Sequence, residues 1–128
     1  MNKILIRIAI LILLLLALYI KTASAFAPAP DPTVLANLPV PEIIKHFSTQ
    51  YNVSYSEMYE TVKCESSFNT KAIGDNNGSF GLSQINLRWN PEVTKEQAFD
   101  PVFAAEFMAK KFSQGKADRW TCWRKIYQ

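Results

Sequence analysis

An unbroken apolar run from Ile8 to Ile20 constrains this chain more than any other feature of its sequence. It is 13 residues long, inside the ~7–15 of a secretory h-region and short of the ~20 that a membrane-spanning helix needs. Lys3 and Arg7 precede it, Lys21 follows it, and the first 25 residues hold no acid. Ala23-Ser24-Ala25 supplies a small-residue cleavage pattern, so residues 1–25 read as a signal peptide cut before Phe26. An uncleaved leader acting as a membrane anchor is the open alternative. What remains is 128 − 25 = 103 residues, the size of one small domain. A multidomain enzyme and a polytopic membrane protein are both excluded.

Removing the leader also removes the chain's charge. The whole chain is +3, from 14 Lys/Arg against 11 Asp/Glu, and all three excess cations lie within residues 1–25. A nucleic-acid binder keeps a cationic surface after processing, so nucleic acid is not an expected partner. One local asymmetry survives. Lys110, Lys111, Lys116, Arg119, Arg124 and Lys125 face only Asp118 over the last 19 residues. That tail is either a solvated face or a surface for an anionic partner. Cys64 and Cys122 are the only cysteines, and behind an export signal one disulfide is expected. No cysteine lies near the cleavage pattern, which argues against a lipid anchor.

Residues 26–40 hold Pro28, Pro30, Pro32 and Pro39 among scattered alanines and read as an extended linker. Residues 41–128 form the expected domain. Pro41 suits the first turn of a helix carrying Ile43, Ile44 and Phe47. His46, the only histidine, has no partner at a metal-binding spacing, and neither a metal nor any other cofactor is expected. Ser54 and Glu57 make a capping box for a second helix, with Tyr55, Met58, Tyr59, Val62 and Ser66 along one side. Glu65 borders that stripe, and Cys64 lies on the polar side with Glu57 and Glu60. A polar loop follows from Phe68 to Gly78. Asp100-Pro101 starts a further helix with Phe103, Phe107 and Met108 as its apolar face, and Gln114-Gly115 stops it. A last short helix carries Trp120, Trp123 and Tyr127. No alternating strand is convincing. The fold expected is mainly α, a small helical domain with a polar loop or small hairpin beside the site.

The string Glu65-Ser66-Ser67-Phe68-Asn69, followed by Ser79-Phe80-Gly81-Leu82-Ser83-Gln84-Ile85, resembles the catalytic domain of soluble lytic transglycosylases, within the lysozyme-like superfamily. That family cleaves peptidoglycan glycan strands, and its marks are a Glu-Ser pair ending a helix and a later Gly-Leu-x-Gln segment. The layout matches over residues 41–128 and the motifs over 64–89. The same stretch is similar to animal-type lysozymes, through Glu65-Ser66-x-Phe68-Asn69-Thr70 and Gln84-Ile85-Asn86-x-Arg88-Trp89. Those lysozymes place a second carboxylate two residues before the later glycine, where this chain has Ser79. They also carry several disulfides. Both departures favour the transglycosylase.

Glycosidic cleavage needs a proton on a poor leaving oxygen, and a surface glutamate at neutral pH has none to give. Apolar surroundings disfavour the anion and supply the remedy. Met58, Val62, Phe68 and Phe80 are the expected lining. The resemblance implies Glu65 as the single acid and base: it protonates the leaving oxygen, then takes the proton of the muramic acid C6 hydroxyl as a 1,6-anhydro ring closes. Ser66, Ser79, Phe80, Gly81, Leu82, Gln84, Asn86, Trp120 and Tyr127 are the candidate substrate contacts. Trp89 and Trp123 offer further flat faces for sugars. Larger transglycosylases carry a later Ala-Tyr-Asn segment that this chain lacks, and Tyr127 stands as its candidate substitute. Asp75 reads as a turn residue, and it and Asp100 are the alternative bases for a water molecule. The expected protein is thus an exported monomer acting on peptidoglycan strands. A hydrolytic muramidase and a non-catalytic peptidoglycan-binding module are the alternatives.

Overall fold

The computed structural model of the chain describes residues 2–24 and 31–128. The expected cut before Phe26 and residues 26–30 of the expected linker lie outside the described residues. The chain divides into two units, one ending at residue 30 and one running from Asp31 to Gln128. Helix α1 (Lys3–Ser24) is the element of the first, and its apolar side chains from Ile4 to Leu16 are exposed. Among the described residues no helix is long and apolar enough to cross a membrane.

The second unit opens on α2 (Pro32–Ala36), where an extended spacer was expected. Asp31 accounts for the difference. Its Oδ1 accepts the Thr33 N–H at 2.9 Å, and proline in the first turn removes a donor that would have no partner anyway. Leu35 then reaches the core, so the compact body begins at Asp31 rather than Pro41.

Helix α3 (Val40–Gln50) buries Ile43, Ile44 and Phe47 as its spacing requires, while half-buried His46 sets its ring edge-on to Phe47. Helix α4 (Tyr55–Ser66) is capped by Ser54, whose Oγ accepts the Glu57 N–H at 3.3 Å. Only half of the expected capping box forms. The Glu57 carboxylate instead accepts the Trp123 indole N–H at 3.0 Å, a stronger lure than one exposed amide. Met58, Thr61 and Val62 face the core, and Tyr59 packs on Phe68. Ser67 and Phe68, both with left-handed φ (51° and 63°), then turn the chain sharply away.

The loop holds a sheet where at most a small hairpin was expected. Strands β1 (Ile73–Gly74), β2 (Ser79–Phe80) and β3 (Ile85–Asn86) run antiparallel in that order, pairing Gly74 with Ser79 and Ser79 with Asn86. Helix α5 (Lys95–Phe99) has a complete capping box between Thr94 and Gln97. Helix α6 (Pro101–Ser113) starts where Asp100 accepts the N–H groups of Val102 and Phe103, and Gly115 at φ 70° follows its end. Its buried stripe differs from the expected Phe103, Phe107 and Met108. Ala104, Ala105, Met108, Ala109 and Phe112 point inward, because the alanines let α3 approach closely with its own isoleucines filling the space. Phe103 and Phe107 are half-buried beside them.

A short 3₁₀ turn (Ala117–Arg119) leads to α7 (Thr121–Tyr127), which packs against α4. The Cys64–Cys122 disulfide ties these two helices across 58 residues of sequence. A bond closing such a loop contributes about 2–4 kcal/mol, chiefly by restricting the unfolded chain. Replacing both cysteines with serine is therefore expected to lower the melting temperature by about 10 °C or more. A thermal melt unchanged by the double substitution, or by reductant, refutes this.

Candidate active site

Glu65 occupies the last turn of α4, where backbone carbonyls already oppose negative charge. Its side chain is half-buried, and Oε1 accepts the Cys122 backbone N–H at 3.0 Å. Burial pushes its carboxyl above the usual range, and the negative charge of Asp75 pushes the same way. The Cys122 amide, Lys125 and Arg124 pull it back in part. The balance is a glutamate that holds its proton to higher pH than a surface one, yet is kept in one orientation by a backbone donor.

A cleft of about 480 Å³ opens above this carboxyl. Its apolar wall is Ile85, Phe107 and Trp120, rather than the expected lining. Met58 and Val62 are core residues, Phe68 turns to Tyr59, and Phe80 packs edge-on to Phe99 under the Lys95 ammonium. Trp89 stands at the cleft 72% exposed, with the Arg88 guanidinium over its ring, as a flat face for a sugar. Lys111, Arg119 and Arg124 form a basic wall. The cation-rich tail noted in the sequence thus lies partly along the cleft.

The structure brings Glu65, Ser79, Gln84, Asn86 and Trp120 together in that cleft with Trp89, and leaves Ser66, Phe80, Gly81, Leu82 and Tyr127 out of it. The Ser66 hydroxyl donates to the Val62 carbonyl within the helix. Leu82 is fully buried in the core, out of reach of any ligand. Gly81 makes a close approach to protein instead of to a sugar: its φ is +74°, and a Cβ there would lie 1.7 Å from the Ala98 carbonyl oxygen. Tyr127 rests on Trp123 and is not among the cleft-lining residues, so it is not brought to Glu65. Asp100 spends its carboxylate on the α6 cap. Trp120 donates its indole N–H to the Ser83 carbonyl at 2.7 Å and lines the cleft while nearly buried.

One residue the sequence reading placed in a turn belongs to the cleft. Asp75 lines it, and its Oδ2 accepts the Ser79 hydroxyl, with Asn86 Nδ2 3.5 Å from the same oxygen. The turn role also holds, since the Gly78 N–H bonds the Asp75 carbonyl. What carries the carboxylate inward is left-handed backbone at Asp75, Asn76 and Asn77 in succession (φ 49°, 52° and 68°). The Asp-Asn-Asn run is the signal for that conformation, though not for its direction. Among the described residues no three His, Cys, Asp or Glu side chains gather as a metal site.

Residues 42–123, well over half of the chain, match the family model described as the transglycosylase SLT domain. No curated protein and no solved structure matches the chain.

Proposed function

Because the chain belongs to the transglycosylase SLT domain family, whose activity is directed at peptidoglycan, we propose that it is an exported lytic transglycosylase cutting the β-1,4 bond between N-acetylmuramic acid and N-acetylglucosamine. The half-buried Glu65 lining the cleft, its carboxyl pushed up by burial, carries this reading. As general acid it protonates the glycosidic oxygen. Left as the anion, it receives the proton of the muramic acid C6 hydroxyl, which attacks C1 and closes the 1,6-anhydro ring. Ser79 at the place of the lysozyme nucleophile supports an internal hydroxyl over a covalent carboxylate ester. Gln84 and Asn86 supply amides for hydroxyl and N-acetyl groups, and Trp89 a face for a ring. In this reading residues 1–25 act as the export signal, cleaved after Ala25.

The presence of Asp75 in the cleft favours one second reading, hydrolysis by a water molecule that this carboxylate activates. Product analysis separates the two. Purified peptidoglycan digested in ¹⁸O water is expected to yield ends lighter by one water, resistant to borohydride and free of label. Reducing, labelled muramic ends as the primary product overturn the transglycosylase reading. Binding without any cleavage overturns both in favour of a silent module.

A further inference from the structure

The loop between β1 and β2 is built by three consecutive left-handed residues, and two of them are asparagines. Asparagine and aspartate serve that backbone equally well. A loop builder at position 75 therefore needs no charge, yet this chain carries one there and turns it into the cleft that holds Glu65. The Ser79 hydroxyl, itself 1% exposed, pins one carboxylate oxygen through Oδ2. Among the described residues both side-chain hydrogen bonds to this carboxylate fall on Oδ2, none falls on Oδ1, and the residue is exposed at the cleft. Ser79 and Asn86 are register partners on β2 and β3, so the sheet fixes this carboxylate to a rigid base.

We propose that Asp75 is a second catalytic residue, whose carboxylate takes the N–H of the muramic acid 2-acetamido group. The inference rests on the transglycosylase reading and gives its first step a second participant. Glu65 protonates the glycosidic oxygen as the bond from C1 to that oxygen breaks. The acetamido carbonyl oxygen bonds to C1, and the positive charge spreads onto the nitrogen of the resulting oxazolinium ring. Asp75 accepts the hydrogen bond from that N–H, orients the carbonyl toward C1 and stabilises the developing charge. The C6 hydroxyl then attacks C1, the bond from C1 to the acetamido oxygen breaks, and the hydroxyl proton passes to Glu65. The acetamido group is regenerated, and Asp75 ends as it began.

The test uses the full chain, Asp75→Asn, and a thiazoline analogue of N-acetylmuramic acid that mimics the cyclised intermediate. Cleavage by Asp75→Asn is expected to lose about 10²-fold in kcat with KM changed by less than about 3-fold. Calorimetry is expected to show thiazoline affinity weakened at least about 10-fold, with an uncyclised disaccharide-peptide fragment bound as before. A purely structural role moves both ligands together. Ser79→Ala, which frees the carboxylate and leaves the loop backbone intact, is expected to weaken the thiazoline selectively as well. Anhydro products from the wild type together with unchanged thiazoline affinity in both variants overturn this inference alone. Reducing ends from the wild type overturn the reading it rests on.

Discussion

Glu65→Gln is expected to lower glycan cleavage by at least ~10²-fold, the least that removal of a general acid costs. The amide keeps the shape and still accepts the Cys122 N–H, so binding to insoluble peptidoglycan is expected to persist. Stability moves the other way. The folded state holds the Glu65 proton more tightly than the unfolded chain does. The residue's contribution is therefore fully present below the unfolded pKa and is lost as pH rises through the higher folded one. At neutral pH the glutamine variant is expected to melt no lower than the wild type, and the difference fades in acid. Cleavage by the wild type is expected to fall on the alkaline side as Glu65 ionises. Near-normal cleavage by a folded Glu65→Gln protein, measured on purified peptidoglycan, removes Glu65 from its role.

Gly81→Ala is expected to destabilise the domain by about 5 kcal/mol, at the extreme of single substitutions. Two effects add. The left-handed φ costs an L-residue roughly 1–2 kcal/mol, and the new methyl would meet the backbone of α5, which cannot swing aside as a side chain can. The strand pair and α5 would have to part, taking Leu82 and Ile85 out of the core. Urea unfolding monitored by tryptophan fluorescence measures this directly, and a loss under about 1 kcal/mol contradicts the packing described.

Local chemistry was legible in the sequence wherever a residue acts on its immediate neighbours. Asp100-Pro101 starts α6, Gly115 follows its end, and Ser54 caps α4, because a cap answers to amides two or three residues away. The place of Glu65 at the end of α4 was legible from its motif, and the two cysteines had only each other. Features decided by distant partners were not legible. The first turn after Asp31 becomes helix because Leu35 finds a core assembled from later residues. The α6 stripe rotates onto its alanines because α3 presents isoleucines there. Among the site residues, Gln84 and Asn86 reach the cleft as expected, while Leu82 and Phe80 from the same motif are buried in the core. Residues 81–84 are a turn between β2 and β3, with left-handed backbone at Gly81 and Gln84, so one motif sends side chains both into the core and into the cleft. Asp75 escaped because three left-handed residues in a row decide its direction, and composition indicates only that such residues tolerate the conformation.

Cys122 touches the acid twice over. Its sulfur is bonded to the residue just before Glu65, and its amide is the donor that holds the Glu65 carboxylate. A newly made chain with free thiols lacks that covalent clasp, and the tail that bears the amide is then held to α4 by packing and by hydrogen bonds such as that of Trp123 to Glu57. Oxidation thus completes the acid's setting in the same event that completes the fold. Ripening of this protein is consequently tied to where it meets an oxidant. In a compartment that keeps thiols reduced the Cys64–Cys122 bond stays open, and the Glu65 setting lacks its covalent tie.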